Sequence, residues 1–248
     1  MASKRISSGV PDLDPLIEGG LPAGKSHLIT GDPGTGKSIF CLQFLLGGLM
    51  EGEKAVYVAV DEKPADVIEQ AASLGWDLSS YIEKKLLVIL DASPYFIARR
   101  GTGREKEIDV AKTVADLASY VKRMEAARVV IDPVGPLIGS GGSAEHTQEH
   151  ARVLVHSLQD HLKSTNLLTS YRAPGVRNEG QYGAEEFLVA GVIVLRVARA
   201  DNRFFRTLMV QKMRATAVEL REHEFTIATE KGIILHPSPQ PVREKSSH

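Results

Sequence analysis

Gly31-Asp32-Pro33-Gly34-Thr35-Gly36-Lys37-Ser38 is the stretch on which the fold turns. Glycines at 31, 34 and 36 let the backbone curl so that successive N–H groups face one point. Before this turn, His27–Thr30 is a short apolar run that reads as a buried strand; after it, Lys37–Leu49 reads as an apolar helix. A glycine-rich turn between a strand and a helix is a phosphate-binding P-loop, because the loop amides and the positive helix end both favour anions. All eight residues are therefore candidate nucleotide contacts. Lys37 would reach the β- and γ-phosphates, which makes it a catalytic candidate as well, and the Ser38 hydroxyl would ligate magnesium.

Moving outward, short β-branched runs alternate with longer stretches of helical period. Ala55–Val60, Lys85–Leu90, Arg128–Ile131, Asn166–Thr169 and Gly191–Val197 read as buried strands. Pro64–Ser73, Val110–Met124 and Glu145–Lys163 read as helices, the first opening on a proline. This alternation predicts an α/β fold with a mostly parallel, doubly wound sheet. After Val197 the pattern changes to short strands over Phe204–Lys212, Glu224–Ile227 and Gly232–Leu235, joined by tight turns such as Glu230-Lys231-Gly232. An antiparallel C-terminal β extension is expected there. Residues 1–237 are read as one domain and the Pro- and charge-rich residues 238–248 as a flexible tail. Ala98–Glu107, with Arg99, Arg100 and Arg104, is expected to be a loop.

Bulk composition narrows the function class. The chain has 248 residues, 43% of them hydrophobic, enough for a full α/β core. Its formal net charge of −1 offers no basic excess for nucleic acid. Cys41 is the one cysteine, so no intrachain disulfide can form and a reducing compartment is expected. No apolar run approaches the roughly eighteen residues of a membrane span, and Met1–Ser8 is too polar for a signal peptide. The expectation is a cytoplasmic protein with no membrane partner.

Two further acidic positions carry chemistry. Val129-Val130-Ile131-Asp132 is a β-branched run ending in a carboxylate, placed to hold magnesium through its water shell. Asp61-Glu62 follows the strand after the P-loop helix, where a carboxylate could polarise a water for in-line attack. The same residues, followed by Lys63-Pro64, also read as a helix N-cap, and spacing leaves both readings open. Trp76 and Cys41 read as packing residues. His146, His150, His156 and His161 share a helix but lack acidic or Cys partners at set positions.

Together these motifs resemble a known family. Ile6–Val10, Gly19-Gly20-Leu21-Pro22-Ala23-Gly24, the P-loop, Val60-Asp61-Glu62, Ser73-Leu74-Gly75-Trp76-Asp77-Leu78, Ile89-Leu90-Asp91-Ala92-Ser93-Pro94, Val130-Ile131-Asp132, Gly183-Ala184-Glu185-Glu186-Phe187 and Lys212-Met213-Arg214 follow the order seen in the KaiC family of RecA-like ATPases. The likeness is closest to the N-terminal ATPase half of KaiC. It implies a RecA-like core, ATP with magnesium, and a homo-oligomer, commonly hexameric, with ATP between subunits. By the same resemblance Glu62 is the catalytic carboxylate, with Asp61 its weaker partner, and Ser73 a nucleotide contact. Lys212, Met213, Arg214 and Thr216 fall on a segment reaching the neighbouring subunit's nucleotide. Lys212 and Arg214 would alternate on one strand and so share a face.

The departures count as well. Glu186-Phe187 stand where the autophosphorylating half of KaiC carries Ser-Thr, so clock-type autokinase activity is not expected. Pro133 and Gly135 replace small hydroxyl residues, Ala215 replaces a glycine and Val218 a histidine. The leading expectation is an oligomeric ATPase acting as a regulatory switch. A DNA-binding recombination ATPase of the RecA or RadA type is the alternative, although Tyr171–Glu186 is not a basic loop. A nucleotide-dependent scaffold with little turnover is the third reading.

Overall fold

Alternating Val, Ile and Leu along each central strand supply two apolar faces, and the molecule is built by covering both. The computed structural model describes residues 4–92, 110–138, 144–171, 186, 188–200 and 202–236. The expected loop at 98–107 and tail at 238–248 lie outside them.

Strands β3 (Ser26–Gly31), β4 (Ala55–Ala59), β5 (Leu87–Asp91), β6 (Arg128–Asp132), β7 (Thr165–Tyr171) and β8 (Gly191–Ala200) pair in parallel. Strands β9 (Arg203–Met213), β10 (Glu222–Ala228) and β11 (Gly232–Leu235) continue the sheet antiparallel. The order across the nine strands is β11-β10-β9-β8-β3-β7-β6-β4-β5. The mostly parallel sheet and its antiparallel C-terminal extension are as expected. A separate ribbon pairs β1 (Arg5–Ile6) with β2 (Leu21–Pro22), an element the polar N-terminal sequence did not suggest.

The faces divide cleanly. Ile29, Tyr57, Val130, Leu167 and Ile193 pack under helix α1 (Lys37–Leu49), whose Phe40, Phe44 and Leu45 are buried. Leu28, Val56, Val58, Val129, Ile131 and Leu168 face the other way, towards α4 (Val110–Met124) and α6 (Ala144–His161). Adjacent residues of one strand thus enter opposite layers, as the pleat requires. In α4 the buried Val114, Ala118 and Val121 recur at one-turn spacing, which is why that helix was legible. Among the described residues the other helices are α2 (Pro64–Ser73), α3 (Leu78–Glu83), the single turn α5 (Gly135–Ile138) and a 3-10 turn at Asp14–Ile17.

One buried cation ties the first layer together. Arg128 is 1% exposed; it donates to Glu53 at 2.6 Å, to the Ser7 carbonyl at 2.9 Å and to the Phe44 carbonyl at 2.7 Å. Gly48 makes room for this pair, since a Cβ there would sit 2.3 Å from Arg128 Nε and 2.4 Å from Glu53 Oε2.

Candidate nucleotide site and its relatives

At the end of β3 the glycine-rich loop bends as its composition requires. Gly34 (φ 77°) and Gly36 (φ 104°) occupy the left-handed region that side-chained residues avoid. The Thr35 hydroxyl donates to the Asp32 carbonyl at 2.8 Å and closes the curl from within. The Lys37 ammonium donates to the carbonyls of Gly31 and Asp32, both at 2.9 Å, and lies 4.5 Å from the centroid of the Tyr171 ring. Burial pushes its pKa down, while Asp132 and Asp32 pull it back up. Ser38 follows in the first turn of α1.

Asp132 ends β6, where the sequence put it, and is 9% exposed. Its carboxylate accepts from the Tyr57 hydroxyl at 2.7 Å and from the Thr169 hydroxyl. These two residues, from the strands on either side of β6, were missed in the sequence. The signal available was a Tyr in an otherwise apolar strand, whose hydroxyl needs a partner once buried. Fixed between two donors, the Asp132 oxygens are aimed rather than free to rotate. A hydroxyl at Ser38 and a carboxylate at Asp132 form a hard-oxygen donor set that suits a magnesium ion keeping most of its water. Among the described residues no group of three or more His, Cys, Asp or Glu is placed to hold a metal ion, and His150 Nδ1 donates to the Ile138 carbonyl at 3.0 Å.

Asp61 and Glu62 leave β4 and are both exposed. The cap reading resolves against them. Lys63 is the N-cap of α2, and Asp66 accepts its backbone N–H at 3.3 Å. Neither Asp61 nor Glu62 is spent on the cap. Burial, then the charge of Asp132, push both carboxyls above their ordinary values. Asp61 and Glu62 therefore share the field of Asp132, which also reaches Lys37. Tyr171 joins it: burial first, then Asp132, Asp61 and Glu62, raise its phenol. Cys41 lies buried behind the loop, with burial pushing its thiol well up, so it is an inert packing residue. Arg206 on β9 donates to the Gly34 carbonyl at 3.3 Å, a contact the sequence did not flag.

The remaining sequence candidates lie elsewhere. Ser73 closes α2, exposed, its hydroxyl donating to the Gln70 carbonyl at 2.7 Å. Lys212 and Met213 finish β9, where Met213 and His27 both pair with Gly191. His27 opens β3 and Gly31 closes it, so Lys212 and Met213 sit at the opposite end of the sheet from their own P-loop. Four strand residues separate the two ends, roughly 13 Å at ~3.3 Å per residue. Arg214 is a correction: β9 stops at Met213 and Arg214 opens the turn, its N–H donating to the Ala190 carbonyl at 2.7 Å. Strand alternation therefore does not govern where it points. Lys212 donates to the Glu186 carbonyl at 2.7 Å, and burial followed by the Arg214 charge lowers its pKa.

This arrangement of loop, strand-end acids and antiparallel edge has known counterparts. A family model described as "ATPase: KaiC" matches residues 6–240. The chain belongs to the KaiC ATPase family. Among its relatives, a UPF0273 protein of Methanopyrus kandleri is 35% identical over 99% of this chain and 97% of its own length. The circadian clock oscillator protein KaiC of Synechococcus elongatus is 32% identical over 95% of this chain but only 45% of its own. The chain thus spans about half of that relative. The crystal structure of a KaiC-like protein from Pyrococcus horikoshii superposes with a TM-score of 0.79 at 32% identity, covering 95% of this chain and all of that one. The fold is thereby the RecA-like α/β fold of KaiC proteins. Among the described residues no helix is long and apolar enough to cross a membrane.

Proposed function

We propose that this KaiC-family chain binds ATP with magnesium at the P-loop and hydrolyses it in an oligomer, a hexameric ring in our reading. The observation that carries the proposal is the curled Gly31–Ser38 loop with the Lys37 ammonium held at its carbonyls, in the field of an Asp132 carboxylate fixed by Tyr57 and Thr169. Loop amides at Gly31–Ser38 hold the phosphates, and Lys37 leaves its two carbonyls to reach the β- and γ-oxygens. Ser38 and Asp132 would hold magnesium, which supplies charge neutralisation at the phosphates. Glu62, with Asp61 beside it, orients the attacking water and takes up its proton. Ser73, from α2, is assigned to the nucleotide by family likeness alone.

Lys212, Met213, Arg214 and Thr216 cannot serve the same nucleotide from the far end of their own sheet, so they serve a neighbour's. A chain of this kind couples assembly to nucleotide state, which suits a regulatory switch. DNA handling is not favoured: Arg196 and Arg203 on the β8–β9 hairpin are paired with Glu222 and Glu224.

Turnover with ATP and magnesium is the test. Glu62→Gln should lower kcat by about 10²–10⁴-fold, the range expected for loss of a general base, while nucleotide binding stays measurable. Wild-type turnover in that variant would remove Glu62 from the mechanism.

A further inference from the structure

Arg5 lies near the start of the chain, yet its guanidinium is 15% exposed and meets five acceptors. Nη1 donates to the carbonyls of Ile17 at 3.3 Å and Gly20 at 3.2 Å, and to the Thr216 hydroxyl at 2.8 Å. Nη2 donates to Glu18 Oε2 and to the Ala215 carbonyl, both at 2.9 Å. The other Glu18 oxygen accepts the Ala217 N–H at 3.0 Å. Arg5 on the ribbon and Glu18 in the segment between its strands thus share three bonds with the turn after β9. That turn contains Ala215 at φ 54°, a left-handed conformation a side-chained residue adopts only when its surroundings hold it there. A glycine would need no such support.

The sheet releases the chain at Met213 and recovers it at Glu222. Between them, Thr216 both accepts from Arg5 and donates to the Arg214 carbonyl at 3.3 Å. The clamp therefore bears on the residue whose cation the intersubunit reading needs.

We infer that Arg5, with Glu18, is a positioning residue for Lys212–Thr216: it fixes the turn in the shape that presents Arg214 to the neighbouring chain's nucleotide. This rests on the intersubunit reading above. Only a planar fork reaches the Glu18 carboxylate, the Ala215 carbonyl and the Thr216 hydroxyl at once, so Arg5→Lys does not substitute for it.

The test uses full-length chains and subunit mixing. Arg5→Ala should bind ATP within about threefold of wild type, because the P-loop is at the other end of the sheet, while kcat falls at least tenfold. Mixing Arg5→Ala with Glu62→Gln should restore activity, since interfaces form that combine an intact Glu62 with an intact turn. Mixing Arg5→Ala with Arg214→Ala should restore none, because both defects lie on the same donated segment. Glu18→Gln, which keeps the fold but weakens the clamp, should repeat the pattern with a smaller loss. Wild-type kcat in both clamp variants, or a loss that Glu62→Gln subunits fail to rescue, would overturn the inference. Wild-type turnover in Arg214→Ala would instead remove the intersubunit reading, and the clamp's role with it.

Discussion

Asp132, the proposed magnesium ligand, shows how far a site can be set by residues that would never touch the ligand. A lone strand-end carboxylate can rotate, and a rotating carboxylate is a poor partner for a hydrated cation. The Tyr57 and Thr169 hydroxyls remove that freedom, one to each oxygen. Tyr57→Phe and Thr169→Val should each raise the magnesium concentration needed for half-maximal turnover by about 10–100-fold, as losing an outer-shell partner does elsewhere. A magnesium titration at saturating ATP measures this, and nucleotide binding without metal should not change. Asp132 itself was legible from its β-branched run. Its two supporters were not, because they come from strands about 75 and 37 residues away, and only pairing of β4, β6 and β7 brings them together. For Glu62 the sequence offers two readings, a water-activating carboxylate and a helix N-cap; the cap falls to Lys63 and the first stays a proposal. The choice depended on whether Asp61 and Glu62 or Asp66 cap the next helix, which spacing alone does not decide.

Elements were read well where one physical signal dominated. Runs such as Val129-Val130-Ile131 can be little other than buried strands, and Val114, Ala118 and Val121 trace one face of a helix. Elements were missed where tertiary contact makes them. The β1–β2 ribbon is two residues wide and survives because Arg5, Glu18 and the turn after β9 enclose it. Helix α3 is six residues long, capped by Asp77, and offers no period to detect. Arg214 was assigned to a strand that in fact ends one residue earlier. Arg128 marks the limit of reading polarity from sequence: an arginine opening an apolar strand looks like an exposed strand end, yet it joins α1, β6 and the N-terminal segment. Arg128→Met leaves the Ser7 and Phe44 carbonyls without their donor and Glu53 without its partner. Breaking such a buried pair costs about 3 kcal/mol. For a chain of this length that lowers Tm by roughly 6–12 °C, measurable by thermal unfolding without nucleotide.

For the molecule as a whole, His27 sets an acid limit. The ring is fully buried; Nε2 donates to the Pro22 carbonyl at 3.0 Å, and Nδ1 has no partner. Gly191 leaves it space, since a Cβ there would come within 2.7 Å of Nδ1. Burial lowers the pKa from 6.5 to about 4. The folded ring stays neutral where the unfolded chain would already bind a proton. Its contribution, on the order of 3 kcal/mol, is fully present above pH 6.5 and is lost as pH falls to about 4. Denaturant midpoints should therefore drop across that window, and His27→Asn should flatten the dependence while lowering stability near neutrality. The polarity of the sheet has a different kind of consequence. The P-loop closes one end of β3, and Lys212 with Met213 lies beside the other. Under the proposed intersubunit reading, a nucleotide completed by cations from another chain would make turnover a property of pairs. Rate per chain would then depend on total protein concentration, rising linearly in dilute solution and levelling off once assemblies saturate. Dilution itself becomes an off-switch that needs no inhibitor.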